Sequence, residues 1–419
     1  MVVNFTHMND DFQPARPKRP VVMPPERKKF AHKLAATDES THLTPPKIMS
    51  KPTPPPKKPM KLLAAPKRIH WWLKSLGTKQ RIAVLVFGIL LVAGACYGVY
   101  SVLTKEPPPE PEPMAYQQPE PPKPTTVASR MTGVQVAPEL NDLPTTGVMI
   151  ENSPDARPQA GIAGSDTVYE AIAEGGITRF LVLYQESKPG HIGPVRSVRP
   201  YYLDFLMPYD AALAHAGGSG EAKAQINAQG IKDIDHGANG STFDRVSNRF
   251  APHNLYTNRD RLLEAQRKRG YTSSTYTGLA RKEVDTPSAT PNAKAVDFII
   301  SSALYNPHFD YDTATNSYKR SEGGKPHVDE KTGAQISPKV VVGLVTTHKY
   351  AGIYSVYGVT GSGKVYVFQD GVVAEGTWEK SDRKGQYILK DGAGVILKLN
   401  PGQTWFTLIT GPEKVKITP

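Results

Sequence analysis

Apolar residues form one uninterrupted run in the first quarter of the chain. Positions 82–103, from Ile82 to Leu103, are 22 consecutive residues without a charged side chain. About 20 apolar residues, rising 1.5 Å each, cross a hydrocarbon core of roughly 30 Å. The run therefore predicts a transmembrane helix at residues 82–103. A buried helix of a soluble domain is the alternative.

The residues that flank this run favour the membrane interpretation. Trp71 and Trp72 precede it, followed by the basic residues Lys74, Lys79 and Arg81. Tryptophan is typical of the membrane interface, and basic residues mark the cytoplasmic side. We expect an interfacial segment at 70–81, a cytoplasmic N-terminus and extracytoplasmic residues from about 105 onward.

A lipid anchor is a second reading of the same run. Cys96 is the only cysteine, and "LVAGAC" ends on it like a lipoprotein cleavage box. The cysteine lies in the middle of the apolar run and far from the start of the chain. A cleaved N-terminal signal is disfavoured because about 80 residues precede the run.

From residue 136 onward, alternating and helical apolar patterns predict a folded region. Apolar runs that predict strands, such as "TGVMIEN", 167–173, 178–185 and "AALAHAGG", alternate with helical patterns. One helix is predicted between Ser219 as N-cap and Gly230, and another from near Thr257 with Asp260 in the capping-box position. The alternation predicts an α/β or α+β domain at 136–302.

Beyond residue 303 the pattern changes to short strands only. Seven runs with glycine, aspartate or asparagine between them follow one another from "KVVVGLVTT" through "GVILKL" to "TWFTLI". This spacing predicts a small, mostly antiparallel β domain at 303–419, with a small barrel or half-barrel as one form.

Two segments have compositions that do not support a packed core. Residues 1–69 are rich in proline and lysine, and we predict a disordered cytoplasmic tail. Residues 105–126 contain nine prolines, which predicts an extended extracytoplasmic stalk within 104–135.

The net charge of +12 comes from the N-terminal tail alone. Residues 1–81 carry 17 lysines and arginines against five acidic residues, and the rest of the chain is balanced. A nucleic-acid-binding function for the whole protein is therefore unsupported. We expect the tail to be attracted to anionic lipid at the inner membrane surface.

The stretch "HIGPVRSVRPYYLDF" is the main candidate for binding chemistry. Glycine and proline predict a shaped loop that carries Arg196, Ser197 and Arg199. Two guanidinium groups on a stiff loop suit a carboxylate or phosphate. The alternative is an internal salt bridge with one of the acids Glu170, Glu174 or Asp204, and such a salt bridge could also shape a site.

Two acids offer a candidate for catalysis. Glu170 and Glu174 lie four residues apart on a predicted strand, so both face the same side. At about 13 Å they are too far apart for direct partnership in glycoside cleavage unless the hairpin bends. Ion pairs with arginines are the simpler interpretation.

Two histidines and their neighbours complete the candidates. His215 precedes a glycine turn and Ser219, where a helix begins and backbone N–H groups attract anions. His253 and Asn254 follow Pro252 in a stiff loop, where His253 is a ligand, a general acid or base, or a structural histidine. Zinc ligation by both histidines lacks the usual close spacing, and no phosphate-binding or dinucleotide motif occurs, so we predict no metal and no cofactor.

Several long motifs resemble a known family. "ENSPDARPQAGIAGSDTVYEAIAEGGITRFLVLYQ", "IGPVRSVRPYY", "HAGGS" and "RFAPHNLYTN", with the C-terminal "GKVYVFQDG", "GTWEK" and "LNPGQTWFTLI", are similar to the YerB-type family of bacterial extracytoplasmic proteins of unknown function. The resemblance covers about residues 136–419 and implies both a YerB-like N-terminal domain and a YerB-like C-terminal domain. The long basic tail and uncleaved span differ from the short lipoprotein signal of that family.

These observations predict a single-pass protein of the cell envelope. We expect it to bind an anionic cell-wall component or an envelope protein through Arg196, Ser197, Arg199, His215, Ser219, His253 and Asn254. The alternative is a hydrolase or lyase acting on cell-wall polymer through Glu170 or Glu174 with His215 or His253. The absence of a recognised catalytic motif favours binding.

Overall fold

The computed structural model describes residues 76–104 and 125–419. The predicted cytoplasmic tail, the first half of the interfacial segment and most of the stalk lie outside the described residues. The described residues belong to two separate units, with the division between Tyr116 and Gln117.

The first unit contributes one long helix, α1 (Thr78–Leu103). It begins four residues before the predicted span, and none of its side chains is buried. Within the described part of the chain, it is the one helix whose length and composition suit a membrane span. A helix suits that environment because it satisfies its own backbone hydrogen bonds.

The second unit is mostly β-structure. Its strands are β1 (Val127–Ala128), β2 (Gln135–Val136), β3 (Thr146–Glu151), β4 (Thr167–Glu174), β5 (Ile177–Tyr184), β6 (Ala212–His215), β7 (Asp233–Asp235), β8 (Asp244–Arg245), β9 (Leu255–Tyr256), β10 (Ala295–Phe298), β11 (Pro307–Asp312), β12 (Ser317–Glu322), β13 (Lys325–Pro326), β14 (Val340–Val345), β15 (Thr347–Ala351), β16 (Tyr354–Gly358), β17 (Gly361–Gln369), β18 (Val372–Lys380), β19 (Ile388–Asp391), β20 (Thr404–Ile409) and β21 (Val415–Thr418). Its α-helices are α2 (Pro138–Asn141), α3 (Pro200–Leu206), α4 (Gly220–Ala228) and α5 (Arg259–Lys268).

A large mixed sheet organises this unit. Its strand order is β19-β18-β17-β14-β20-β4-β5-β3-β6-β7, and the β15–β16 hairpin joins it through β4. A second sheet has the order β13-β12-β11-β10-β21. The pairs β14–β20, β20–β4, β3–β6 and β6–β7 are parallel, and the other pairs of the large sheet are antiparallel.

Strands from both predicted domains share the large sheet. β20 lies directly against β4, with Thr404 opposite Thr167. The sheet therefore runs across the predicted boundary at residue 302, and the C-terminal strands extend it instead of closing into a barrel. Strands dominate the unit.

The central strands of the large sheet are buried on both faces. In β3, Val148 and Ile150 belong to one hydrophobic cluster, whereas Met149 between them belongs to another. This separation follows from the two-residue period of a strand. Helices α3 and α4 contribute to the cluster that contains Met149, and strands of the second sheet contribute to the opposite cluster. The central strands have nearly continuous apolar runs because both of their faces are covered.

Some local predictions differ from the structure. Helix α5 is capped by Asn258, whose side chain accepts a hydrogen bond from the Arg261 amide, so Thr257 and Asp260 are not its cap and capping box. The run "GVILKL" forms no named strand, and strands β11 and β12 were missed because polar residues interrupt their pattern. Met131 is 2% exposed, so packing begins before residue 136.

Candidate functional site

The carboxyl ends of three parallel strands meet at one edge of the large sheet. β3 pairs with β6, and β6 pairs with β7, all in the same direction. Their last residues are Glu151, His215 and Asp235. Open sheets with parallel strands bind ligands at such an edge, so its side chains are the first to consider.

The predicted arginine loop is inserted into this edge. β3 and β6 pair only as far as Val148 and Ala214. Beyond that point the Arg196 amide donates to the Met149 carbonyl at 2.9 Å, and the Arg196 carbonyl accepts from the Ala216 amide at 3.1 Å. The loop thus fills the gap between the two strands, and both of its sides are held by backbone hydrogen bonds.

Glycine is required where this loop begins. Gly193 has a φ of +150°, a conformation that side chains disfavour. A Cβ atom at this position would lie 2.9 Å from the Leu255 carbonyl oxygen. The predicted shaped loop therefore depends on close backbone packing.

Arg196 belongs to a first polar centre, built around Glu151. The Nε of Arg196 lies 3.2 Å from Glu151 Oε2, and the His253 Nδ1 lies 3.0 Å from the same oxygen. The Ser153 hydroxyl donates to Oε1 at 2.9 Å. Because Glu151 is buried, its charge holds Arg196 and His253 in place. This partner of Arg196 was not among the acids considered from the sequence.

Arg199 belongs to a second polar centre, built around Glu174. The Glu174 carboxylate lies between two arginines, with one oxygen hydrogen-bonded to Arg199 and the other 3.2 Å from Arg179. Partial burial alone would raise the pKa of Glu174, but the hydrogen bonds from Arg199 and Arg179 outweigh it and lower this pKa. Two guanidinium groups thus share one carboxylate, which leaves local positive charge.

A cavity of about 420 Å³ lies beside Arg199. We call it the Arg199 cavity. Its walls come from α3, from the first turn of α4, from the β15–β16 hairpin and from Arg383. The Tyr354 ring lies under the Arg199 guanidinium, with its centroid 5.1 Å from Arg199 Cζ. Ser219, predicted to lie near the arginines, also lines this cavity.

Two buried polar atoms at this cavity have no hydrogen-bond partner among the described residues. They are Arg199 Nε and Ser355 Oγ. Both residues line the cavity, and they are 6% and 2% exposed. Burying an unpaired donor costs free energy. An acceptor oxygen within hydrogen-bond distance of either atom would remove that cost.

His215 does not line the Arg199 cavity. Its Nδ1 lies 2.7 Å from the Gly217 carbonyl oxygen, and its Nε2 lies 2.8 Å from Asp233 Oδ1. Burial alone would lower the pKa of His215, but the hydrogen bonds with Asp233 and Gly217 raise it. Both ring nitrogens are engaged, so this histidine connects β6, β7 and the glycine turn.

The two candidate carboxylates have separate partners. A β-bulge between Ile172 and Glu174 interrupts the strand, so the expected common face for Glu170 and Glu174 is not supported. Glu170 is fully buried and accepts hydrogen bonds from Arg320 at 2.9 Å and from Trp405 at 3.0 Å. Burial outweighs the attraction of Arg320 and raises the pKa of Glu170 to about 7.

The remaining predicted residues have local structural contacts. Ser197 donates to the Ala216 carbonyl at 3.0 Å, and Ser219 caps α4 by accepting from the Ala222 amide at 3.2 Å. Asn254 accepts a hydrogen bond from Arg245 at 2.7 Å.

Among the residues described, no group of three histidine, cysteine or acidic side chains is placed to hold a metal ion.

The structure also adds residues that sequence reasoning missed. Ser355, Tyr354 and Arg383 line the Arg199 cavity from more than 150 positions away in the chain. Their sequence surroundings, a tyrosine-rich hairpin and a polar turn, carry no recognised binding pattern. Glu151 could have been considered, because it is an acid at the end of an apolar strand.

Comparisons with known proteins identify relatives of this second unit. Residues 131–272 match the N-terminal domain, and residues 296–406 the C-terminal domain, of a "Protein of unknown function (DUF3048)". A protein of Bacillus subtilis (strain 168) named "Putative lipoprotein YerB" is 30% identical over 298 residues, which is 69% of this chain and 88% of that protein. A crystal structure of the YerB protein from Bacillus subtilis superposes with a TM-score of 0.64 at 27% identity, and covers 70% of this chain and all of that one.

Proposed function

This chain belongs to the DUF3048 family, as the YerB-type resemblance predicted, and we propose that it is a membrane-associated extracytoplasmic protein that binds an anionic group in the Arg199 cavity. The ligand belongs to the cell envelope, as a cell-wall component or a partner protein. The buried, unpartnered Arg199 Nε at the cavity carries this proposal.

Helix α1 supports the membrane anchor. It is long and apolar enough to cross a bilayer, and Lys79 and Arg81 lie at its N-terminal end. Basic residues on that side favour a cytoplasmic N-terminus and an extracytoplasmic second unit. The lipoprotein name of the Bacillus relative agrees with association at the outer face of a membrane.

Charge and hydrogen-bond donors support an anionic ligand. Arg199 and Arg179 share the single carboxylate of Glu174. The first turn of α4, which begins at Gly220, lines the cavity with N–H groups that have no partner within the helix. The positive end of the helix dipole adds to the attraction for an anion. A guanidinium offers such an anion a planar, directional contact.

Acidic residues at the cavity limit this attraction. Asp204 is neutralised by Arg383, which donates to both of its oxygens at 2.5 and 3.1 Å. Glu221 lies in the first turn of α4 and accepts a hydrogen bond from Gln225. Its negative charge would repel an anionic ligand in the cavity. Removal of the Glu221 charge should therefore strengthen the binding of an anion.

Binding is favoured over cell-wall hydrolysis. The four candidate catalytic residues have different partners: Arg320 and Trp405 hold Glu170, two arginines hold Glu174, Asp233 holds His215, and Glu151 holds His253. None of the four is among the described residues that line the Arg199 cavity. Acid–base chemistry requires its acid and its base to reach one substrate together.

Calorimetric titration of the full-length protein in detergent tests this proposal. The probes are inorganic phosphate, acetate and glucuronate. We expect saturable binding of at least one probe, weaker binding in Arg199→Lys and tighter binding in Glu221→Gln. Should Arg199→Lys unfold, Ser355→Ala replaces it, since that hydroxyl has no partner to lose. Equal affinity of wild type and the variants for a bound probe contradicts the proposal, and so does the failure of these probes and of every other carboxylate-bearing ligand to bind.

A further inference from the structure

The Arg199 cavity is bordered by a strand edge that is largely unpaired. β16 pairs along its full length with β15 on one side. On its other side, within the described chain, β16 pairs with β4 only at Tyr354, opposite Glu174. The next three residues, Ser355, Val356 and Tyr357, line the cavity. An unpaired edge offers backbone donors and acceptors to an added strand.

The end of this edge carries the unpartnered donors. Ser355 Oγ and Arg199 Nε are both buried without a hydrogen-bond partner among the described residues. Tyr354, one position before Ser355, stacks on the Arg199 guanidinium. The strand edge and the anion-attracting groups thus belong to one continuous surface, although they come from distant parts of the sequence.

We infer that the ligand of the Arg199 cavity is the carboxyl terminus of a short peptide, bound in an extended conformation beside β16. This inference rests on the proposed function and specifies its ligand. The terminal carboxylate meets Arg199, Ser355 and the start of α4. The peptide backbone extends along Ser355–Tyr357. Strand addition and capture of a terminal carboxylate are both established ways to recognise peptides.

The dimensions of the cavity agree with a peptide of this kind. Three residues of β16 span about 10 Å, because a strand rises about 3.3 Å per residue. The cavity of about 420 Å³ lies in the range of small-ligand sites. Tyr201, Tyr357 and Val356 supply apolar wall for short side chains. A phosphate or a sugar acid would use the charged end but would leave the edge of β16 unpaired.

The test compares matched peptides on the full-length protein in detergent. The probes are N-acetylated alanine tripeptides, in L and D forms, with a free carboxyl terminus or a terminal amide. A third form of each carries an N-methyl group on its last peptide bond, which removes one backbone donor. We expect the free acid of at least one enantiomer to bind at least tenfold more tightly than its amide and its N-methylated form.

Protein variants tie the binding to this cavity. Ser355→Ala should weaken binding of the free acid severalfold without lowering Tm. Thr346→Val is the matched control, because it also removes a buried hydroxyl without a partner but does not line the cavity. We expect Thr346→Val to leave peptide affinity unchanged.

The outcomes separate this inference from the proposed function. If phosphate or glucuronate binds in an Arg199-dependent way but no peptide does, the peptide inference is wrong and the anion site stands. Equal affinity of acid and amide, or of acid and N-methylated peptide, also overturns the inference. If no anion and no peptide binds, both proposals fail.

Discussion

The Glu170 carboxylate and the Arg320 guanidinium form a fully buried ion pair, with 2.9 Å between Oε1 and Nη2. Glu170 lies on β4 of the large sheet, and Arg320 lies on β12 of the second sheet. Arg320 also lies 3.1 Å from Glu322, so it compensates two buried carboxylates. This pair links the two sheets through charge as well as through apolar packing.

Replacement of Arg320 with leucine should strongly destabilise the second unit. The change leaves Glu170 and Glu322 buried without their shared cation, and such a loss costs about 3–5 kcal/mol of unfolding free energy. Urea unfolding of wild type and variant measures the effect. Lys319→Ala is the control, because this neighbour is half exposed and pairs with Asp312 at the surface, which is worth less than about 1 kcal/mol. Equal stability of Arg320→Leu and Lys319→Ala would contradict the role of Arg320.

The burial of Glu170 should make stability depend on pH. Its pKa is about 7 in the folded protein, raised from 4.5 mainly by burial. Between these values the folded state binds more protons than the unfolded state, so stability falls as pH rises. The unfolding free energy of wild type, relative to Glu170→Gln, should therefore decrease as the pH rises from 4.5 to above 7. Chemical unfolding of both proteins across this pH range measures the direction of the change. A difference in unfolding free energy that stays constant with pH would contradict a raised pKa for Glu170.

Much of the local structure is predictable from the sequence. The strands at Thr167–Glu174 and Ile177–Tyr184 follow apolar runs around a glycine pair, and α4 follows a serine cap. Each of these signals lies within a few residues of the element it specifies. The prediction of α4 succeeded because Ser219 and Gly230 act on the same short segment.

Local sequence signals do not predict which residues come together in the candidate site. Ser355 joins Arg199 in one cavity because the β15–β16 hairpin attaches to β4, and no local pattern specifies this long-range contact. The bulge after Ile172 likewise depends on tertiary packing, and it broke the expected relation between Glu170 and Glu174. Side-chain chemistry was visible in the sequence, but the partners of each side chain were not.

The cap of α4 should contribute measurably to stability. Ser219 accepts a hydrogen bond from the Ala222 amide, and an alanine at this position leaves that amide without its acceptor. We expect Ser219→Ala to lower the unfolding free energy by about 1 kcal/mol. Asn258→Ala removes the corresponding cap of α5, away from the Arg199 cavity, and should cost a similar amount. Equal unfolding free energies of wild type and Ser219→Ala would contradict the contribution of this cap.

The membrane orientation can be tested in intact cells. Basic residues precede α1, so we expect the N-terminus inside and the second unit outside. Protease added to wall-stripped cells should remove the region beyond Lys105 and spare an N-terminal tag, as seen by immunoblotting with tags at each end. A protected C-terminal tag in intact cells that becomes sensitive after lysis would reverse the orientation.

The shared sheet predicts that residues 125–419 fold as one cooperative unit. If the chain is divided at residue 302, β4 loses its partner β20, and Glu170 loses Arg320. The 125–302 fragment would then expose the edge of β4 and leave Glu170 without its cation. The 303–419 fragment would lack β4, so that this edge of β20 would be unpaired. Circular dichroism should show one thermal transition for 125–419 and no cooperative transition for either half. A cooperative melt by either half alone would instead establish the predicted boundary as a division between independent domains.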